Sequence, residues 1–527
     1  MIAVRCFVPD LGKGFEVFSR IYCAALDAID AVIVQAEADV SDGLPVFDMV
    51  GLLASEVREA KERVRVAMKN SGYLLPPKRI TVNLSPADIR KDGTAFDLPI
   101  AVAVLVAAGY LAEKNTESIL FVGELSLDGS VNPVNGVLPI VYEAKKQGFL
   151  YCMVPDANYK EASVVQGIGI LPVSNLHEVV RYASKPESFD ENSRLEFTND
   201  TEGSSEEISP EEDFSSLVGQ PIARRAMEVA AAGHHNILIV GPPGAGKTMI
   251  AKRVPGILPE LSMDESIEIT KIYSVAGRLE EKSALIKKRP FRAPHHTVTM
   301  PALVGGGRKA RPGEISLASN GILFLDELPE FSRAVIEVLR QPLEEKRICI
   351  DRVHSRAVYP ANFMLVAAMN PCKCGYYPDR KRCTCSENQV RQYRGKLSQP
   401  ILDRIDICIE IGSVSYTEWF SDEKHEDSKS IRDRVCRARR LQEERYKDCN
   451  FRTNSQIPSS KVDEFCTLGS GEKELMMKAF QGMELSGRGY HRVLKVARTI
   501  ADLDGADSIK ETHLCEALSY RSVEVRG

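Results

Sequence analysis

Ile237-Leu238-Ile239-Val240-Gly241-Pro242-Pro243-Gly244-Ala245-Gly246-Lys247-Thr248 is the stretch whose reading decides the fold. Four apolar, mostly β-branched residues predict a buried strand. The turn from Gly241 to Thr248 matches the phosphate-loop pattern G-x-x-x-x-G-K-[ST], and Met249-Ile250-Ala251-Lys252 opens a helix behind it. Glycines let backbone N–H groups turn inward around a phosphate, and the helix N-terminus adds a favourable dipole. Lys247 is placed to bridge the β- and γ-phosphates and the Thr248 hydroxyl to hold magnesium. The chain is expected to bind a nucleoside triphosphate, ATP with Mg2+.

Working outward, Gly321-Ile322-Leu323-Phe324-Leu325-Asp326-Glu327 is a second buried strand ending in two acids. Behind a phosphate loop, Asp326 belongs beside the magnesium ion and Glu327 where it polarises the attacking water. A third strand, Phe363 to Met369, ends at Asn370, whose amide can orient the same water. Further on lie Leu397-Ser398-Gln399-Pro400-Ile401-Leu402-Asp403-Arg404-Ile405-Asp406 and Leu485-Ser486-Gly487-Arg488-Gly489-Tyr490.

The chain of 527 residues is long enough for several domains, and its net charge of −5 gives no global attraction to nucleic acid. The longest apolar run, Leu98 to Leu111, is too short to span a bilayer and reads as a buried helix. The start of the chain lacks an apolar signal core, so a cytoplasmic protein with no membrane partner is expected. Thirteen cysteines are too sparse for a disulfide scaffold. The first seventeen residues read as an uncertain extension.

From 18 to 184 strand-like and helical stretches alternate: Ala31–Ala38 and Ile80–Leu84 as strands, Glu56–Lys69 as a helix. Lys91-Asp92-Gly93-Thr94-Ala95-Phe96-Asp97 leads into the apolar helix; Gly123–Gly129, Val134-Asn135-Gly136-Val137 and a helix through Ala144-Lys145 follow. This order resembles the proteolytic domain of Lon proteases. The resemblance implies a serine nucleophile before the apolar helix and a lysine in the later one. Those positions fall on Ala95 and Ile140, which cannot do that chemistry, so a Lon-like domain without peptidase activity is expected. Ser85 and Lys91 are the other serine–lysine pair considered for a dyad. Residues 185–216 are rich in Glu, Asp, Ser and Thr and predict an acidic disordered linker.

The phosphate loop, the acidic strand end, Asn370, Arg404 and Arg488, in this order, resemble an AAA+ ATPase. The resemblance makes Asn370 the sensor-1 residue, Arg404 an arginine finger that serves the neighbouring subunit, and Arg488 the sensor-2 arginine. It implies a ring, a homo-hexamer. The long interval between Lys247 and Asp326 holds Phe291–Thr297 and Ala302–Arg308, and Arg347–Ile350 with Ala357–Tyr359 predict a hairpin before Asn370. Both insertions resemble the magnesium-chelatase and MCM-helicase branch; with the Lon-like domain, the whole resembles the ComM/YifB family.

In helicases of that branch such hairpins face the ring channel. Arg347, Arg352, His354 and Arg356 would then form a basic tip that contacts DNA phosphates; an ordinary solvated hairpin accounts for the same charges. His295-His296 reads as a packing or pore-loop pair, since adjacent side chains rarely meet on one ion. Cys372-Lys373-Cys374 and Cys383-Thr384-Cys385 suit a tetrahedral zinc site that braces a loop too small for its own core. The tail reads as a helical lid, with Ser430 as the N-cap of a helix carrying Arg432, Arg434, Arg437, Arg439 and Arg440 on a solvated face.

The expected architecture is therefore α/β multidomain: a Lon-like α+β domain (18–184), a linker (185–216), an AAA+ P-loop α/β core (217–414) and a helical lid (415–527). The expected function is an ATP-hydrolysing hexameric motor acting on single-stranded or branched DNA, a branch-migration helicase of recombination or natural transformation. The second reading is a magnesium-chelatase-like ATPase that remodels a protein partner or assists metal insertion.

Overall fold

The computed structural model describes residues 18–189, 212–280, 284–307, 310–352, 355–413 and 425–521. The expectations for the first seventeen residues, for most of the linker and for His354 fall outside this range. Among the described residues, no helix is long and apolar enough to cross a membrane.

The N-terminal domain is built on β1 (Phe18–Asp27), β2 (Asp30–Ser41), β3 (Phe47–Val50), β4 (Arg79–Ser85) and β5 (Ile119–Phe121). The small hairpin β6 (Glu124–Leu125) and β7 (Val131–Asn132) precedes β8 (Tyr151–Pro155) and β9 (Gly169–Val173). Seven of these strands form one mixed sheet, ordered β3-β4-β2-β1-β5-β8-β9. The apolar run forms the helix Asp97–Ala107, buried along its whole length. That burial is what an all-round apolar helix requires. Its single acid, Asp97, is fully buried and takes a two-pronged bond from Arg63, Nε at 2.7 Å and Nη2 at 2.8 Å. Arg63 sits on the helix Ser55–Asn70, which buries Val57, Ala60, Val64 and Ala67 at helical spacing.

The second domain carries β10 (Ile237–Val240), β11 (Phe291–Arg292), β12 (Gly305–Gly306), β13 (Arg311–Pro312) and β14 (Ile322–Leu325). Then come the hairpin β15 (Arg347–Arg352) and β16 (Ser355–Pro360), and the strands β17 (Met364–Met369) and β18 (Ile407–Glu410). The parallel sheet runs β11-β14-β17-β10-β18. Strands buried on both faces read as unbroken apolar runs. In β10, Ile237 and Ile239 face one core cluster while Leu238 and Val240 face the other.

The first of those clusters extends without a break into the C-terminal helices Ser428–Arg445 and Gly487–Leu503, so these helices and the sheet share a core. Two expectations are corrected here. The N-cap of Ser428–Arg445 is Asp427, whose carboxylate accepts from Ser430 N–H at 2.9 Å; Ser430 is already inside the first turn. The arginines of this helix are not all solvated. Arg434 pairs with Glu228 and Glu426, and Arg439 donates to the Ala231 carbonyl at 2.8 Å, which docks the helix on Pro221–Gly233. A buried network ties it to Gly487–Leu503: Asp502 accepts from Arg445, Arg498 and Asn454, and Thr499 meets His235 at 2.8 Å.

The N-terminal domain touches the helix Met263–Ala276 of the second domain. Lys271 reaches Asp30 at 3.3 Å and lies 4.2 Å from the Tyr142 ring, and Ser274 donates to the buried Glu161 carboxyl.

Candidate nucleotide site

The parallel order puts the C-terminal ends of β10, β14 and β17 side by side, where ligands bind in open α/β sheets. Gly241 N–H donates to the Met369 carbonyl at 3.1 Å, which sets the start of the phosphate loop beside Asn370. The loop then turns through Gly244 and Gly246 at φ +78° and +87°, a region glycine enters without steric penalty. Lys247 begins the helix Lys247–Arg253.

Lys247 Nζ curls back into the loop and donates to Gly241 O at 2.8 Å, Pro242 O at 2.9 Å and Asn370 Oδ1 at 3.0 Å. Burial lowers its pKa, against the pull of Asp326 and Glu327. Thr248 Oγ1 lies 2.6 Å from Asp326 Oδ2. Two hard oxygen donors this close suit Mg2+, which accepts one or two protein oxygens and keeps the rest of its octahedron for phosphate and water. Glu327 sits in the left-handed region at φ +51°, and its N–H donates to Asp326 Oδ1 at 2.9 Å. The sequence expectations for Gly241 to Thr248, Asp326, Glu327 and Asn370 are thus brought together at one strand edge.

One neighbour was missed from sequence. His296 Nδ1 lies 3.8 Å from Glu327 Oε2, with Phe331 edge-on to its ring and the His295 ring 4.0 Å away. The packing reading of the pair holds for the two rings, but the contact with Glu327 comes from register: β11 pairs parallel with β14, so the segment after β11 lies beside Glu327. Arg292 anchors that segment through Glu314 at 2.6 Å.

Arg404 is nearly buried and turned inside its own chain. Its Nη2 is 2.5 Å from Glu344, its Nη1 donates to Pro400 O at 2.6 Å, and Nε has no partner. Two residues on, burial works against the Asp406 carboxylate, yet His235, Arg492 and Lys495 hold it well below the usual carboxylate range. Arg492 lies one helical turn beyond Arg488, which is exposed at the start of Gly487–Leu503.

The hairpin β15–β16 is present, with one correction. Arg347 pairs with Pro360 at its base, five register steps from Arg352, and lies 3.2 Å from Glu345; it is not part of a tip. Arg356 is 3.4 Å from Asp351, and Arg352 is placed by its backbone register opposite Ser355.

The cysteines Cys372, Cys374, Cys383 and Cys385 converge: their sulfurs all lie within 4.8 Å of one another. Among the described residues this is the one His/Cys/Asp/Glu cluster with metal-binding geometry. The Cys374 thiol is lowered to about 6, chiefly by the Tyr376 N–H. In the N-terminal domain, Ala95 packs against the same apolar cluster that holds Ile140, and the buried Lys91 donates to the Pro86 carbonyl.

Residues 213–419 match the family described as magnesium chelatase, subunit ChlI; residues 36–158 match subunit ChlI of Mg-chelatase, and residues 425–521 its C-terminal family. Over 508 residues the chain is 41% identical to the competence protein ComM of Haemophilus influenzae, covering 95% of this chain and 97% of that one. It is 40% identical over 512 residues to YifB of Escherichia coli, covering 96% and 97%. Against the magnesium-chelatase subunit ChlI of Chlorella vulgaris the identity is 25% over 236 residues, 40% of this chain and 61% of that one.

Proposed function

The chain belongs to the ComM/YifB family of magnesium-chelatase-like proteins, and on that premise we propose that it is an ATP-hydrolysing ring motor that acts on DNA. The observation that carries the ATPase reading is the strand edge where Lys247, Thr248, Asp326, Glu327 and Asn370 meet. Lys247 exchanges its loop carbonyls for the β- and γ-phosphates, and Asn370, released from the lysine, turns to the γ-phosphate and the attacking water. Glu327 takes the water's proton. Thr248, with Asp326 beside it, would hold a magnesium ion, which when bound would neutralise phosphate charge.

Arg404 and Arg488 complete the site. Arg488 reaches the nucleotide of its own chain from the lid, and Arg404 that of the next chain in a homo-hexamer. Arg404 leaves Glu344 to do so, which makes the finger available only when a neighbour's phosphate replaces the carboxylate. The domains divide at 18–184, 185–216, 217–414 and 415–527. The first is Lon-like without a peptidase dyad, because Ala95 and Ile140 stand where serine and lysine would act. The protein works in the cytoplasm.

DNA as the track is supported by the competence protein among its relatives and by Arg352 and Arg356 on the hairpin. Phosphate contacts of this kind bind without sequence preference and weaken steeply with salt. A second reading, remodelling of a protein partner or assistance to metal insertion, draws on the matches to magnesium-chelatase subunits. ATPase assays with and without DNA, and branch migration of a synthetic four-way junction, separate the two. Stimulation by DNA with junction movement supports the motor; ATPase activity indifferent to every DNA form overturns it. The cysteine loop takes structural zinc.

A further inference from the structure

The four-cysteine loop does not hang free of the nucleotide site. Cys372 follows Asn370 by two residues, and the loop turns back at Gly375, φ +87°, with Gly375 N–H bonded to Cys372 O at 3.0 Å. This turn lies against the phosphate loop: a Cβ on Gly375 would fall 2.5 Å from Pro243 Cδ. Beyond Cys385, the helix Glu387–Arg394 returns to the same point. Its Arg394 Nε donates to Pro371 O at 3.2 Å, one residue past Asn370. Two tethers therefore run from the loop and its helix, one to Pro243 and one to Pro371 beside Asn370.

The sulfur geometry fits a metal and not a disulfide. Cys372, Cys374 and Cys383 have Sγ···Sγ distances of 3.3, 3.5 and 3.7 Å. Four thiolates at ~2.3 Å from one zinc ion lie about 3.8 Å apart, whereas a disulfide needs ~2.05 Å. Thiolates select a soft or borderline ion over magnesium or calcium. Tyr377 N–H points at Cys372 Sγ, 3.4 Å away, which orients the ligand. A tetrathiolate zinc centre carries two net negative charges. Arg380 and Arg394 over Tyr377 and Arg382 over Tyr376 surround it with cations. Without metal, the loop's own core is three of the cysteines and Val390, with the fourth and two tyrosines packed against it.

We propose that this tetrathiolate centre binds one Zn2+ and that the metal-braced loop is a working part of the nucleotide site, holding Pro243 of the phosphate loop and sensor residue Asn370 in one frame. ATP binding and turnover then depend on zinc occupancy. The proposal rests on the ATP reading above for its second half only; the metal centre stands without it.

The test uses the full-length chain purified without chelator. Elemental analysis is expected to give one zinc per chain, and cobalt replacement the intense thiolate-to-cobalt absorption of a tetrahedral S4 site. Removal of the metal with an organomercurial and a chelator, followed by excess thiol to displace the mercurial and free the cysteines, is expected to weaken binding of a fluorescent ATP analogue about tenfold or more, with recovery on zinc return. Gly375→Ala keeps all four thiolates and pushes the turn off Pro243; it should keep its zinc and lose nucleotide affinity, which separates coupling from unfolding. Lys247→Ala should lose nucleotide and keep zinc. Substoichiometric zinc with no cobalt bands overturns the metal centre. Equal nucleotide affinity in loaded, depleted and Gly375→Ala protein overturns the coupling. A zinc-loaded wild type that binds no nucleotide overturns the ATP reading and the coupling together, while leaving the metal centre in place.

Discussion

Lys247 Nζ and Asn370 Oδ1 are joined by a 3.0 Å hydrogen bond, so the loop lysine and the amide at the end of β17 engage each other. On the proposed ATP reading, a triphosphate breaks this pair and both halves turn to the same γ-phosphate. That reading couples binding and sensing through one exchange of partners.

Asn370→Ala removes the amide and leaves the lysine its two loop carbonyls. ATP affinity should change little, because Lys247 still reaches the phosphates. Turnover should fall about 100-fold, the scale of losing one positioned polar group at a reacting centre. Steady-state kinetics beside equilibrium binding separates the two quantities; a loss confined to affinity contradicts the sensor role.

Arg404 is held at 2.5 Å by Glu344 of its own chain, so a finger role requires a neighbour. Arg404→Ala and Lys247→Ala chains should each be inactive alone. Mixed together they should regain part of the activity, since some interfaces pair an intact loop with an intact arginine. Glu344→Ala should retain activity, because the ion pair belongs to the isolated chain. No recovery on mixing at any ratio contradicts the shared site.

His296 Nδ1 lies 3.8 Å from Glu327 Oε2, so in the proposed hydrolysis site it is placed to steady the carboxylate proposed as the base. His296→Ala should lower turnover about tenfold, a modest share of what a positioned base contributes, with ATP affinity unchanged. His296→Gln, a polar side chain long enough to approach Glu327, should recover part of it. Equal turnover in wild type and alanine variant would assign the ring to packing against Phe331 alone.

The parts of this site legible in sequence were those that local pattern controls. β10 and β14 are unbroken apolar runs because both faces are buried, and the glycines that follow β10 are demanded by a turn at positive φ. His296 was not legible, since only the parallel pairing of β11 with β14 brings it to Glu327. Arg434 and Arg439 were misread as solvated for a related reason: their partners, Glu228 and the Ala231 carbonyl, lie some two hundred residues earlier. Arg347 was misplaced because composition alone does not give hairpin register, and six paired positions put it at the base. The tethers from the cysteine loop to Pro243 and Pro371 were equally invisible, being contacts of backbone and glycine that carry no motif.

Asp502 is fully buried between Arg445, Arg498 and Asn454. Asp502→Ala leaves two guanidinium groups without their carboxylate and should destabilise by about 3–5 kcal/mol. Because this network joins the helices Ser428–Arg445 and Gly487–Leu503, the loss should appear first in hydrogen exchange of these two helices. Chemical denaturation gives the total; an effect below about 1 kcal/mol would show that the arginines find other partners.

Glu161 provides the pH signature of the contact between the two domains. Burial raises its pKa, partly offset by Ser274, the Leu138 N–H and Asn158. Between the unfolded value of about 4.3 and the raised folded value, the folded chain keeps a proton that the unfolded chain has released. Stability therefore falls as pH rises through that window. Glu161→Gln cannot titrate. It loses the acceptor facing the Asn158 amide, a cost of about 1 kcal/mol, but keeps an oxygen for Leu138 and Ser274. Its stability measured by denaturant titration should vary less with pH above the unfolded value of about 4.3 than that of the wild type, even though lower at the acidic end. Identical slopes for the two proteins would place the charge of Glu161 outside the folding equilibrium and leave Lys271 with Asp30 as the charged contact between the domains.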